Sequence, residues 1–320
     1  MNTSIGPGTT TPLYAFEECL RAALNWSPSD STWAFDHWLA QGYPTEFDVV
    51  FSGGAYRGAW FSAGIKLLNT WQNAKLVTVR RISGTSAGAW MGILLCMGSE
   101  TIGIDDILIE VEAYRKKGYH RPDAFAVVFD CLFGSTLYEK CNDRLHIHAC
   151  AVTSRGRVDT IFSQFSSNRM LFDAAMASGH IPFFTRPTLF HTIDGTCYID
   201  GAVVRGLAYF RDLRRPQLLV KSYWIPYPLR FLAWHDPDIL AFSTRGKLML
   251  LRWICGSPNP YVQWHSTPTH GHRRLSLWRC IQCAIGILLM SAWMHWVLAA
   301  RPWLQIPLFA RRKLRTVRPK

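Results

Sequence analysis

Gly84-Thr85-Ser86-Ala87-Gly88 sets one hydroxyl between two glycines, directly after a β-branched run and at the start of a helical pattern. A serine on such a strand-to-helix turn stands clear of the backbone, and small neighbours let a carbonyl carbon approach it. The helix that follows points its positive end at any oxyanion that forms there. The plain structural alternative is that Ser86 serves only as a helix N-cap. A second glycine-rich loop, Gly53-Gly54-Ala55-Tyr56-Arg57-Gly58, lies one βαβ unit earlier. It lacks the Gly-Lys-Ser/Thr ending of a phosphate loop, and Ala55 occupies the third position of a G-x-G-x-x-G pattern. Lys75 and Arg80 stand where a dinucleotide site would want an acid. The backbone N–H groups of Gly53, Gly54 and Ala55 are therefore assigned to an oxyanion hole, where one well-placed donor is worth roughly 3–4 kcal/mol. Arg57 either anchors that loop, meets an anionic headgroup or is a solvated surface residue.

A serine nucleophile needs a base. Asp200-Gly201-Ala202 follows the apolar strand end Cys197-Tyr198-Ile199, and a carboxylate there can take the hydroxyl proton directly. Asp194-Gly195 is the rival, but it lies between two short strand-like runs, where Asp-Gly is a common hairpin turn. Ser86 and Asp200 together imply acyl-ester chemistry. The scheme requires no metal or cofactor, and no Cys/His set has zinc-ligand spacing.

Strands and helices must alternate to hold these groups. Phe47–Phe51 reads as a buried strand, Gly58–Trp71 as a helix, Leu76–Ile82 as a second strand, and Ser86–Met97 as a helix ended by Gly98. Asp105–Lys117 is amphipathic, with Ile107, Leu108, Val111 and Tyr114 on one side, and His146–Val152 alternates like a strand. Asn168 is expected to cap a helix through Met176, and Leu189–Ile199 to form a hairpin. A short helix is expected at Phe16–Leu24, broken by the Ser/Pro/Asp stretch 27–31. The alternation predicts an α/β fold.

At this level of detail, residues 47–215 resemble the patatin-like phospholipase family. Its Gly-Gly-Gly-x-Arg/Lys-Gly loop is similar to Gly53–Gly58 except at Ala55, and its Gly-x-Ser-x-Gly elbow to Gly84–Gly88. Its Asp-Gly-Gly/Ala motif resembles Asp200-Gly201-Ala202, and its Ala-Ser-x-x-x-Pro segment resembles Ala177-Ser178-Gly179-His180-Ile181-Pro182, with Pro187 also in register. The resemblance implies a three-layer α/β fold with a mainly parallel central sheet flanked by helices. It also implies a Ser86–Asp200 dyad without histidine and hydrolysis of lipid acyl esters, with Arg57, Gly58, Gly84, Gly88, Gly201 and Ala202 in support. Besides Ala55, the chain departs from the family at Val203-Val204-Arg205-Gly206, where members often carry asparagine and proline. Those departures motivate an alternative: a membrane-binding protein of the same fold with weak or no turnover. A second alternative is an α/β-hydrolase triad of Ser86, Asp200 and a late histidine such as His235 or His265.

The chain divides by composition into a 1–46 N-terminal segment, a 47–215 catalytic domain, a 216–279 basic aromatic extension, a 280–300 apolar helix and a 301–320 basic tail. With 49% hydrophobic and 18% charged residues among 320, it has ample material for a core. Its nine cysteines, irregularly spaced, suit reduced thiols in the cytosol. Net charge is +13, and no acidic residue follows Asp238, which points to an anionic partner for the C-terminal part. Residues 280–300 carry no charge and are fenced by Arg279 and Arg301, long enough to cross a bilayer or to lie in its interface. An anionic membrane surface is thus the expected partner, with the catalytic domain in the cytosol. The basic residues interleave with apolar runs and match no readout motif, which argues against nucleic acid.

Overall fold

The computed structural model describes residues 28–54, 61–98, 104–119, 121–183, 185–203, 207–212, 214–221 and 239–265. Its centre is β1 (Glu46–Phe51), whose last five residues are all buried. A strand buried on both faces belongs inside a parallel sheet. β1 pairs in parallel with β2 (Thr78–Thr85) on one side and with β7 (Gln217–Val220) on the other. β2 in turn pairs in parallel with β3 (Leu145–Thr153). Antiparallel strands complete the margins: β4 (Gly156–Phe162) and β6 (Thr196–Ile199) on β3, β5 (His191–Ile193) on β6, and β8 (Val262–His265) on β7.

Helices flank this sheet. α1 spans Pro28–Ala40, α2 Ser62–Asn73, α3 Ala87–Met97, α4 Ile104–Lys116, α5 Arg121–Phe133, α6 Leu137–Cys141, α7 Asn168–Ser178 and α8 Ile239–Ile254. α3 packs on β2, and every residue from Gly88 to Met97 is buried, so it is apolar all round rather than along a stripe. Gly98 ends it in the left-handed conformation, φ 60°, which glycine adopts without cost. On α4, Ile107 and Val111 are buried and Tyr114 packs against the same core.

The core reaches beyond residues 47–215: Trp38 of α1, 1% exposed, sits among Tyr43, Phe47, Trp71, Trp253 and Trp264, which ties α1, α8 and β8 into one core. Pro28 stands at the first described position of α1, where a helix has no use for an N–H. Ser167, not Asn168, caps α7, its hydroxyl accepting from the Met170 amide at 3.3 Å. The Asn168 amide is instead buried and donates to the Gly134 carbonyl at 2.6 Å, while its oxygen accepts from the Tyr138 amide at 2.9 Å. The expected helix at 16–24 and the apolar segment 280–300 lie outside the described residues. Among the described residues, no helix is long and apolar enough to cross a membrane.

Candidate active site

The sheet brings two distant chain segments together along one strand. β4 occupies one edge of β3 from Ile147 to Thr153. The other edge is shared: β2 runs parallel along Leu145–His148, and β6 runs antiparallel along Cys150–Val152. β2 and β6 therefore approach each other head to head. The residue after Thr85 meets the residue after Ile199, and these are Ser86 and Asp200.

Both side chains are nearly out of solvent, Ser86 at 5% and Asp200 at 6% exposure. The Ser86 hydroxyl stands close enough to the Asp200 carboxylate to favour its ionised form, and the carboxylate accepts from the Ala202 amide at 2.8 Å. Burial strips water from the carboxylate and raises its pKa to about 6; the Ser86 and Ala202 hydrogen bonds only partly offset this. Ser86 itself is held at φ 57°, ψ −124°, a conformation that costs a non-glycine residue roughly 1–3 kcal/mol and persists only where the surroundings enforce it. Its amide donates to the Ser178 hydroxyl at 2.8 Å, and that hydroxyl donates to the His148 carbonyl at 2.6 Å. The Asp200 amide donates to the His180 carbonyl at 2.7 Å.

The glycines are required by close approach. A Cβ at Gly88 would lie 2.7 Å from the carbonyl oxygens of Phe51 and Ser52, and one at Gly84 would strike the Gly88 carbonyl. Gly201 sits directly against the His148 carbonyl, with no room for a methyl group. Gly201→Ala is thus expected to lower stability by about 1–3 kcal/mol, read as a fall in the urea midpoint, because backbone rather than a flexible side chain must give way. Gly53 passes close to Ser86: a Cβ there would touch Ser86 Cβ at 3.4 Å and Ala202 Cβ at 3.3 Å. Gly54 follows it at intermediate exposure, while Ala55, Arg57 and Gly58 lie outside the described residues.

Asp194 is exposed at the hairpin tip between β5 and β6, φ 48°, and is not brought to Ser86. His265 pairs with Gln217, level with Asp48 near the amino end of β1, whereas Ser86 follows the carboxyl end of β2. The other described histidine rings are engaged elsewhere: His37 with the Trp33 carbonyl, His146 against Phe210, His148 with Asp159, His180 with Thr185 and Thr188, and His191 beside Asp173. His235 lies outside the described residues. Among the described residues, no group of three or more His, Cys, Asp or Glu side chains is placed to hold a metal ion.

Reading the residues alone gave no role to Ser178 or to the His180 carbonyl. The only signal was that both fall within Ala177–Pro182, one of the four motif matches. Compared with known proteins, residues 49–209, about half of the 320-residue chain, match the family model described as patatin-like phospholipase. No curated protein matches the chain.

Proposed function

The chain belongs to the patatin-like phospholipase family, a family of lipid acyl hydrolases, and we propose that it cleaves fatty-acyl esters with Ser86 as nucleophile and Asp200 as general base. The observation that carries this reading is the meeting of β2 and β6 on one edge of β3, which sets the Ser86 hydroxyl against a buried carboxylate. Asp200 takes the proton as Ser86 Oγ attacks the acyl carbonyl carbon. The tetrahedral oxyanion is held by backbone amides of the Gly53-Gly54-Ala55 loop, whose first residue passes close to Ser86. Collapse returns the proton from Asp200 to the departing alcohol or lysolipid and leaves an acyl-serine. Water, deprotonated by Asp200, then attacks that ester; the acyl–Oγ bond breaks, Asp200 returns the proton to Ser86 Oγ, and the fatty acid leaves.

A base with a pKa near neutrality is well matched to this work, being ionised at physiological pH yet basic enough to draw the proton. Substrate is drawn from membranes, to which the basic C-terminal part holds the enzyme with its catalytic domain in the cytosol; net charge +13 favours anionic headgroups.

Purified full-length protein is expected to release fatty acids from a mixed lipid extract, detected by mass spectrometry, with none above background from Ser86→Ala. On a soluble ester, kcat/KM should rise with pH through a midpoint of about 6 and level off above it, because only ionised Asp200 accepts the proton. Equal release by the Ser86→Ala control sinks the proposal. So does a rate indifferent to pH across that midpoint.

A further inference from the structure

We propose that Ser178 is a positioning residue for the dyad, holding the nucleophile amide while the next turn of chain holds the base. This rests on the dyad reading above. Ser178 is fully buried at the last position of α7. Its single hydroxyl proton goes to the His148 carbonyl at 2.6 Å, so toward the Ser86 amide, 2.8 Å away, it acts as acceptor. The direction of the chain of hydrogen bonds is thereby fixed. Two residues on, the His180 carbonyl accepts from the Asp200 amide at 2.7 Å. Gly179, between them, lies under the nucleophile, where a Cβ would be 3.8 Å from Ser86 Cα.

Residues 178–180 thus touch both members of the dyad from one side. The His148 carbonyl that anchors Ser178 is also the group against which Gly201 packs, so the elbow and the turn after Asp200 share one fixed point. A buried amide outside the helical ladder needs an acceptor, and Ser86 at φ 57° needs its surroundings to hold it there. Ser178 supplies both. Since the Ser86 N–H is engaged in this way, the oxyanion must be met by other amides.

Threonine and valine at 178 have nearly the same volume and differ chiefly in the hydroxyl, so that pair isolates its role. On a soluble short-chain ester, Ser178→Val is expected to lose roughly 10- to 100-fold in kcat relative to Ser178→Thr, with KM within about twofold. Covalent modification of Ser86 by a fluorophosphonate should slow by a similar factor. Amide hydrogen exchange across 84–88 should be faster in Ser178→Val, while α3 beyond it is unchanged. Should neither branched residue fold, Ser178→Ala against wild type gives the same three comparisons without added bulk. Equal kcat and labelling with and without the hydroxyl overturns the proposal, as does unchanged exchange at 84–88. If wild type neither turns over nor is labelled, the hydrolase reading fails. The exchange comparison, which needs no catalysis, then still decides whether the hydroxyl holds the Ser86 amide.

Discussion

Ser86→Ala and Asp200→Asn are each expected to reduce lipid acyl-ester hydrolysis by on the order of 10⁴-fold or more, and the double variant to be little worse than either alone. In the proposed mechanism the two groups perform one event: the hydroxyl gives up the proton that the carboxylate receives. Removing either leaves the other with nothing to do, so their losses do not add. What survives in each variant is the contribution of substrate binding and of the loop that passes close to residue 86. The kinetics of all four proteins on one ester form the double-mutant cycle. Losses that multiply across the cycle would show that Ser86 and Asp200 act in separate steps, against the proposed mechanism.

The same carboxylate is expected to weaken the fold it serves. Asp200 has its pKa raised from an ordinary 3.8 to about 6, so the native state binds that proton more tightly than the unfolded chain does. The sign follows: stability is greatest with the group protonated, falls as pH rises from about 4 through about 6, and is level above that. A shift of this size corresponds to roughly 3 kcal/mol. Asp200→Asn keeps the shape and an oxygen for the Ala202 amide but carries no charge, so it removes the penalty. The variant is expected to be more stable than wild type by up to about 3 kcal/mol near pH 8, with the difference vanishing near pH 4. Urea midpoints of the two proteins at both pH values check this. An Asn variant less stable than wild type at the higher pH would mean that the ionised group is held favourably, which burial at 6% exposure argues against. Stability gained by inactivation is the mark of a group kept for its reactivity.

The local parts of the site are legible in the residues themselves. Gly84 and Gly88 frame Ser86 because a side chain at 88 would collide with the Phe51 and Ser52 carbonyls and one at 84 with the backbone of Gly88 and Ala89. Asp194-Gly195 reads as a turn because both residues adopt positive φ, 48° and 76°, which Asp and Gly tolerate best. Most elements around the site were legible for a related reason: β1, α3 and β3 carry enough buried positions in a row to announce their type.

The margins were not legible. β7 and β8 are four residues each, too short for a period to show, and the partners they pair with lie far away in the chain. Trp38 belongs by composition to the 1–46 segment and Trp253 and Trp264 to the 216–279 extension, and only packing shows them sharing one core. Asn168 reads as a cap because a short polar side chain before an apolar run usually is one, yet its amide is taken by Gly134 and Tyr138.

By itself, then, the sequence determined which residues can react and what their immediate backbone must do, since glycine frames, turn residues and buried runs act over a few positions. Tertiary structure alone decided that Ser86 and Asp200, more than a hundred residues apart, face each other, because β2 and β6 share an edge of β3. It also set His265 toward the far end of the sheet and the Ser178 hydroxyl against the Ser86 amide. Strand pairing and burial are properties of the assembled sheet, and so is the raised pKa of Asp200, which depends on water excluded by segments from across the chain.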